Sequence, residues 1–224
     1  MSTRHLLAVC AVSAVFASLT LAGCATPEAP AAAPTAPPAA SATPTQVAEP
    51  VVESVVITAE SITLVGDDGS VLLESGYFEP TDDLVALLTE TAGEAPEVEE
   101  DVSYPERGPL DLITWPGLEI YDDEGDGTAP HYPGFSVRVT DDVLGSASIE
   151  TVDGIKVGDS GSAVAAQYPN STDEVDGQLD IYVGAVALPD SSEGTDLELR
   201  VWLMTKDADG PITEFRSPSA NFGV

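Results

Sequence analysis

VGDSGSAVAAQYPN, residues 157–170, is the stretch on which the reading of the fold turns. Asp159 and Ser160 are residue types that accept hydrogen bonds from the free amide groups of a helix N-terminus. Ala163, Val164 and Tyr168 then recur on one side, and Pro169 ends the run, so a helix is expected here. PTDDLVALLTETAG (80–93) has the same pattern. Thr81 or Asp82 supplies the cap, Leu84, Leu87, Leu88 and Thr91 share a face, and Gly93 is the stop. An offset of 77 residues places Leu87 on Val164 and Asp82 on Asp159.

Strand signals surround both segments. ESITLVGDDGSVLLESGYF (60–78) is two β-rich runs about a Gly66–Gly69 turn. GLEIYDD (117–123), FSVRVT (135–140) and SASIETV (146–152) follow the first helical segment. LDIYVGAVAL (179–188), LELRVWLMTK (197–206) and ITEFRSP (212–218) follow the second, and Val137-Arg138-Val139 echoes Leu199-Arg200-Val201. The expected body, residues 51–224, is therefore α+β, with short helices packed on an antiparallel sheet. Either it is two tandem helix-plus-hairpin repeats, 51–152 and 153–224, or it is a single irregular α+β domain. The start of the second segment, Gly154-Ile155 through Val157-Gly158-Asp159-Ser160, resembles the repeat unit of small α+β domains in outer-membrane assembly lipoproteins and in β-lactamase inhibitor protein. That resemblance implies a binding scaffold and carries over no functional residue.

Gly158-Asp159-Ser160-Gly161 also resembles the surroundings of the nucleophilic serine in chymotrypsin-like proteases, and TAPHY (128–132) loosely matches their histidine segment. A serine nucleophile needs a base within hydrogen-bond reach and a carboxylate to orient that base. His131 lies 29 residues before Ser160, too little chain for the two barrels of that family. Ser162 also stands where the family has its second glycine. Ser160 is read as a helix cap.

The N-terminus has a different character. Arg4 and His5 precede an apolar run from Leu6 to Leu21 with no acid or base, which ends in Ala22-Gly23-Cys24. This is the pattern of an export signal, and the run is shorter than the ~20 residues of a spanning helix. Leu21-Ala22-Gly23-Cys24 resembles the lipobox of bacterial lipoproteins. The resemblance implies cleavage between Gly23 and Cys24 and a diacylglyceryl group, palmitate among its acids, on the Cys24 thiol. An ordinary secretory signal with an incidental cysteine is the alternative. Residues 1–23 are then the signal, and 24–50 are the lipidated cysteine and its stalk. Ala25–Pro50 holds 10 Ala and 7 Pro in 26 residues. It has too few large apolar groups to offset its ordering entropy, and proline extends it to at most ~80 Å.

Beyond Cys24 lie six basic and 39 acidic side chains, a net charge of −33. That charge excludes nucleic acid and close contact with anionic headgroups. Acidity, stalk and lipobox together resemble uncharacterised exported lipoproteins of high-GC Gram-positive bacteria. The resemblance implies anchoring to the cell membrane on its extracellular side.

Two segments carry candidate sites. In DDEGDG (122–127), Asp122, Glu124 and Asp126 are spaced like the first ligands of a calcium loop, but Pro133 stands where the bidentate glutamate belongs. The segment is either a calcium site outside the EF-hand pattern or an acidic exposed loop. EVEED (97–101) reads as a charged loop. TWPGLEIYDDEGDGTAPHYPGF (114–135) reads as a long irregular connection. Its Trp115, Tyr121, His131, Tyr132 and Phe135 either form a recognition ledge for an envelope protein or glycan, or fold back over the sheet. Trp202, inside an alternating strand, is expected in the core. No residue set for catalysis and no cofactor motif other than the calcium candidate is present. The leading expectation is a non-enzymatic binding or scaffolding module. A cation-responsive surface protein and a carboxylate-dependent hydrolase are the alternatives.

Overall fold

The computed structural model describes residues 50–103, 109–123, 133–188 and 198–220. The signal, Gly23, Cys24 and the stalk up to residue 49 lie outside the described residues, as do Glu124, Asp126, His131 and Tyr132.

Strands dominate the described body. β1 (Val52–Ile57), β2 (Ser61–Gly66) and β3 (Val71–Gly76) precede helix α1 (Asp82–Ala92). β4 (Glu97–Ser103), β5 (Pro109–Trp115), β6 (Leu118–Asp122) and β7 (Phe135–Val139) follow, then the short hairpin β8 (Val143–Leu144) and β9 (Ala147–Thr151). Helix α2 (Gly161–Ala165) leads into β10 (Thr172–Val175), β11 (Gln178–Ala187), β12 (Glu198–Thr205) and β13 (Ile212–Ala220).

They assemble into two sheets. One has five strands in the order β3-β2-β1-β9-β8, antiparallel except for the parallel pair β1–β9. The other has eight, β10-β11-β12-β13-β7-β6-β5-β4, all antiparallel. One continuous core holds residues of both sheets, among them Val55, Ile57 and Leu64 from the first and Ile120, Val137, Leu203 and Phe215 from the second. Tyr77, after β3, sets its ring 5.1 Å from that of Phe135 on β7. The Tyr77 hydroxyl and the Ser217 hydroxyl both donate to the Thr58 carbonyl, at 3.2 and 2.6 Å, so this half-buried acceptor joins the two sheets.

The α+β expectation is overturned: the fold is mainly β, with two short helices among the described residues. α1 forms as its period indicated, burying Leu84 and Leu88 and stopping at Gly93. α2 is barely more than one turn. The Ser160 hydroxyl accepts from the Ala163 amide at 3.3 Å, and the chain is already turning at Gln167 and Tyr168. Gly161 lies flat against the β12–β13 turn, where an added Cβ would stand 2.4 Å from Thr205 and 2.9 Å from the Gly210 carbonyl. A helix pinned that closely at its first residue has little room to lengthen into a layer over the sheet.

The repeats are corrected with the class. β4–β7 and β10–β13 are two meanders that meet at β13–β7, but β1–β3 and β8–β9 build a sheet with no counterpart among the described residues of 153–224. EVEED lies in a strand rather than a loop. β4 ends the eight-stranded sheet among the described residues, Glu97, Val98, Glu99 and Glu100 are all exposed, and acids on such an edge discourage pairing with other chains. The segment 114–135 is likewise less irregular than expected. Pro116-Gly117 closes a tight turn between β5 and β6, with Gly117 at φ 84°, where glycine is the favoured residue.

Candidate functional site: the outward face of the eight-stranded sheet

β12 shows how the site is positioned. Its burial alternates without a break, with Leu199, Val201, Leu203 and Thr205 inward and Glu198, Arg200, Trp202 and Met204 outward. Strand register carries the outward set across the sheet. Tyr182 on β11 pairs with Trp202, Trp202 with Arg216 on β13, Arg216 with Arg138 on β7, and Arg138 with Glu119 on β6. Five strands thus contribute one row.

The row is internally braced. The Tyr182 and Trp202 rings stack at 6.2 Å with 19° between their planes. The Arg200 guanidinium sits 5.6 Å from the centre of the Tyr182 ring, and that of Arg216 is 5.6 Å from Trp202. Each such contact contributes about 0.5–1 kcal/mol at a solvated site. The Trp202 indole donates to Asp180 at 3.1 Å. Arg216 and Arg138 stand directly opposite each other, an arrangement that destabilises a sheet unless something intervenes. Glu214 intervenes. It accepts from Arg138 at 2.6 Å and 3.0 Å, and from Arg216 at 3.0 Å. Arg138 reaches on to Glu119 at 3.3 Å, which also accepts from the Tyr121 hydroxyl at 2.7 Å.

The charges respond to one another. Partial burial works against ionisation of Glu214, but the hydrogen bonds and positive charge of Arg138 and Arg216 outweigh it and hold the carboxyl below its usual range. The Glu214 hydrogen bond is the main reason that Arg138 binds its proton more tightly than a free guanidinium. Partial burial, with the charges of Asp180 and Asp173, raises Tyr182.

The residues singled out from the sequence fare differently. Trp115 is in the core at 2 % exposure and belongs to no ledge. Tyr121 is half-buried on the outward face, beside the row. Asp122 is half-buried at the end of β6 and accepts a hydrogen bond from Thr81. Burial raises its carboxyl, the Thr81 bond opposes this, and Asp111, Asp82 and Asp123 raise it further. Among the described residues no three His, Cys, Asp or Glu side chains are arranged to hold a metal ion. Trp202, expected in the core, is half-exposed in the middle of the row. Tyr182, Arg138, Arg200 and Arg216 went unnoticed as site residues. The signal was the alternation itself, whose second register in LELRVWLMTK reads Glu, Arg, Trp, Met. The same alternation recurs as Arg138 between Val137 and Val139.

Comparison with protein-family models, curated proteins and solved structures gives no match. Among the described residues no helix is long and apolar enough to cross a membrane.

Proposed function

We propose that this chain is a lipid-tethered binding module of the bacterial cell envelope that presents the outward face of its eight-stranded sheet to a protein partner. The lipobox-like Leu21-Ala22-Gly23-Cys24 and the Ala/Pro stalk support the tether. The binding half rests on one observation, the braced row Tyr182–Trp202–Arg216–Arg138–Glu119. Trp, Tyr and Arg are the residues that most often dominate protein interfaces, and here all three stand together. Arg138, Arg200 and Arg216 are three of the six bases after Cys24, so an acidic body concentrates its positive charge on this face. Side chains already held by neighbours lose less entropy when a partner docks.

A photocrosslinking residue at Met204, installed in living cells, tests this reading. A defined adduct is expected from Met204, absent with the same residue at Glu90 on α1, and lost when Trp202→Ala is added. No adduct, or the same adduct from Glu90, overturns it. The tether has its own test: palmitate labelling of the chain disappears in Cys24→Ser. Labelling that survives this change sinks the anchor.

A second reading, a cation-responsive protein, rests on the calcium-loop spacing of Asp122, Glu124 and Asp126 in an acidic chain. It requires that millimolar calcium raise the melting temperature and that Asp122→Asn abolish the rise. An unchanged response in the variant removes Asp122 from any such site.

A further inference from the structure

β11 is longer than the strand beside it. β10 pairs with it from Gln178 to Ile181, and the Tyr182 amide still donates to the Ser171 carbonyl at 2.8 Å. Beyond that point, among the described residues, no strand pairs with the outer edge of Val183–Ala187. On the other side, the register with β12 shifts between Val183 and Val186, and Gly184 has φ 64°. This bulge bends the strand. A cleft of about 390 Å³ opens beside it, with Val183, Gly184 and Val186 on one wall and Ile57, Thr58 and Val152 of the other sheet's region opposite. That volume falls in the ~300–1,000 Å³ range of small-ligand sites, enough for a side chain or two. The floor is rigid, since the Thr58 carbonyl already binds both the Tyr77 and the Ser217 hydroxyls.

The mouth is acidic. Glu60, Ser61 and Glu74 line both this cleft and an adjoining hollow completed by Gly76 and Glu79, and among the described residues no Lys, Arg or His lines either one. The three glutamates are exposed. Among the described residues, Glu74 meets the Ser61 hydroxyl at 3.4 Å, and Glu79 the Gly76 amide at 3.1 Å.

We propose that this seam is a second binding site, separate from the outward face. It takes an extended peptide segment of a partner protein as an added strand along Val183–Ala187, with an apolar side chain in the cleft and a Lys or Arg at the glutamates. Three features select that occupant together. An unpaired strand edge offers a row of backbone donors and acceptors, the mode of β-strand addition. The valine-lined walls of the cleft favour an apolar side chain. Carboxylates at the mouth with no basic partner among the described residues favour a cation, and that charge complementarity speaks against a second copy of this acidic chain.

The test uses the full chain and two synthetic hexapeptides of alternating valine and threonine, one ending in lysine and its twin in glutamate. The lysine peptide is expected to bind at least about tenfold more tightly. It should also slow hydrogen exchange at the amides of Val183–Ala187. Glu74→Lys, at an exposed position where folding is not at stake, should reverse the preference between the peptides. Equal binding of the two, or no protection at up to about 1 mM peptide, overturns the proposal. So does spermidine displacing the lysine peptide as well as the peptide displaces itself, which would reduce the seam to a cation site.

Discussion

The two faces of the eight-stranded sheet are made by the same strands in adjacent registers, yet they solve different problems. The inward row is Ile181–Leu203–Phe215–Val139–Leu118–Trp115, and no member is more than 2 % exposed. One residue along each strand lies the outward row, Tyr182–Trp202–Arg216–Arg138–Glu119–Thr114. Inside, each side chain removes apolar area from water, at roughly 25 cal/mol per Å², and needs no particular partner beyond a good fit. Outside, area alone would not order the side chains, so rings, guanidinium groups and carboxylates hold each other in place. The inner face is ordered by burial; the outer face is ordered by pairing among its own side chains.

Substitutions sharpen that contrast. Phe215→Ala removes a fully buried ring from the centre of the inward row, and chemical denaturation should register a loss of about 3–5 kcal/mol. Trp202→Ala, its diagonal neighbour outside, should cost no more than about 1–2 kcal/mol while removing the adduct at Met204. A loss as large as that of Phe215→Ala would make Trp202 a core residue and erase the difference between the faces.

Glu214→Gln leaves Arg138 and Arg216 opposed with no charge between them. A loss of about 1–2 kcal/mol is expected at neutral pH, at the low end for charged hydrogen bonds because the site is partly solvated. The pH dependence has a definite sign. Because the folded-state pKa of Glu214 lies below its ordinary 4.5, its stabilisation is present above that value and is lost as pH falls through the folded one. Unfolding curves of wild type and Glu214→Gln should therefore converge in acid. Curves that stay a constant distance apart from neutral pH into acid would show that the carboxylate's charge is not what matters.

The smallest effect is expected at the end of β6. The folded-state pKa of Asp122 is raised above 3.8, so ionising it opposes folding: the contribution is fully present below 3.8 and is lost as pH rises through the folded value. Asp122→Asn keeps an acceptor for Thr81 and removes the charge. It should raise stability at neutral pH by less than about 1 kcal/mol, and the gain should shrink in acid. A lower melting temperature at neutral pH would mean that the ionised form is held by something favourable, as a bound cation would do.

What could be read in advance followed from local chemistry. The stop of α1 at Gly93 and the Ser160 cap depend on residues within one turn of each other, and the alternation in LELRVWLMTK reports a strand whatever lies around it. The misreadings share a cause. Ala163, Val164 and Tyr168 have helical spacing, but the β12–β13 turn lies against Gly161 and the helix ends at Ala165. Trp115 and Trp202 are the same residue in similar alternating strands, and one is buried while the other is half-exposed. Size favours burial for both.

The sequence by itself determined an acidic body, the Ser160 cap, the Gly93 stop and an N-terminus with the pattern of a lipoprotein signal, because each of these is set by composition or by neighbours in the chain. The mainly β class was not among them, since helical spacing pointed to α+β. Only the tertiary structure decided that Arg216 from one half stands beside Arg138 from the other with Glu214 between them. It also decided that Val183–Ala187 has, among the described residues, no strand on its outer edge, beside a glutamate-lined cleft. Both depend on which strands become neighbours. That choice is made by the free energy of closing one core over two sheets, a quantity to which every buried side chain contributes and which no local pattern reports.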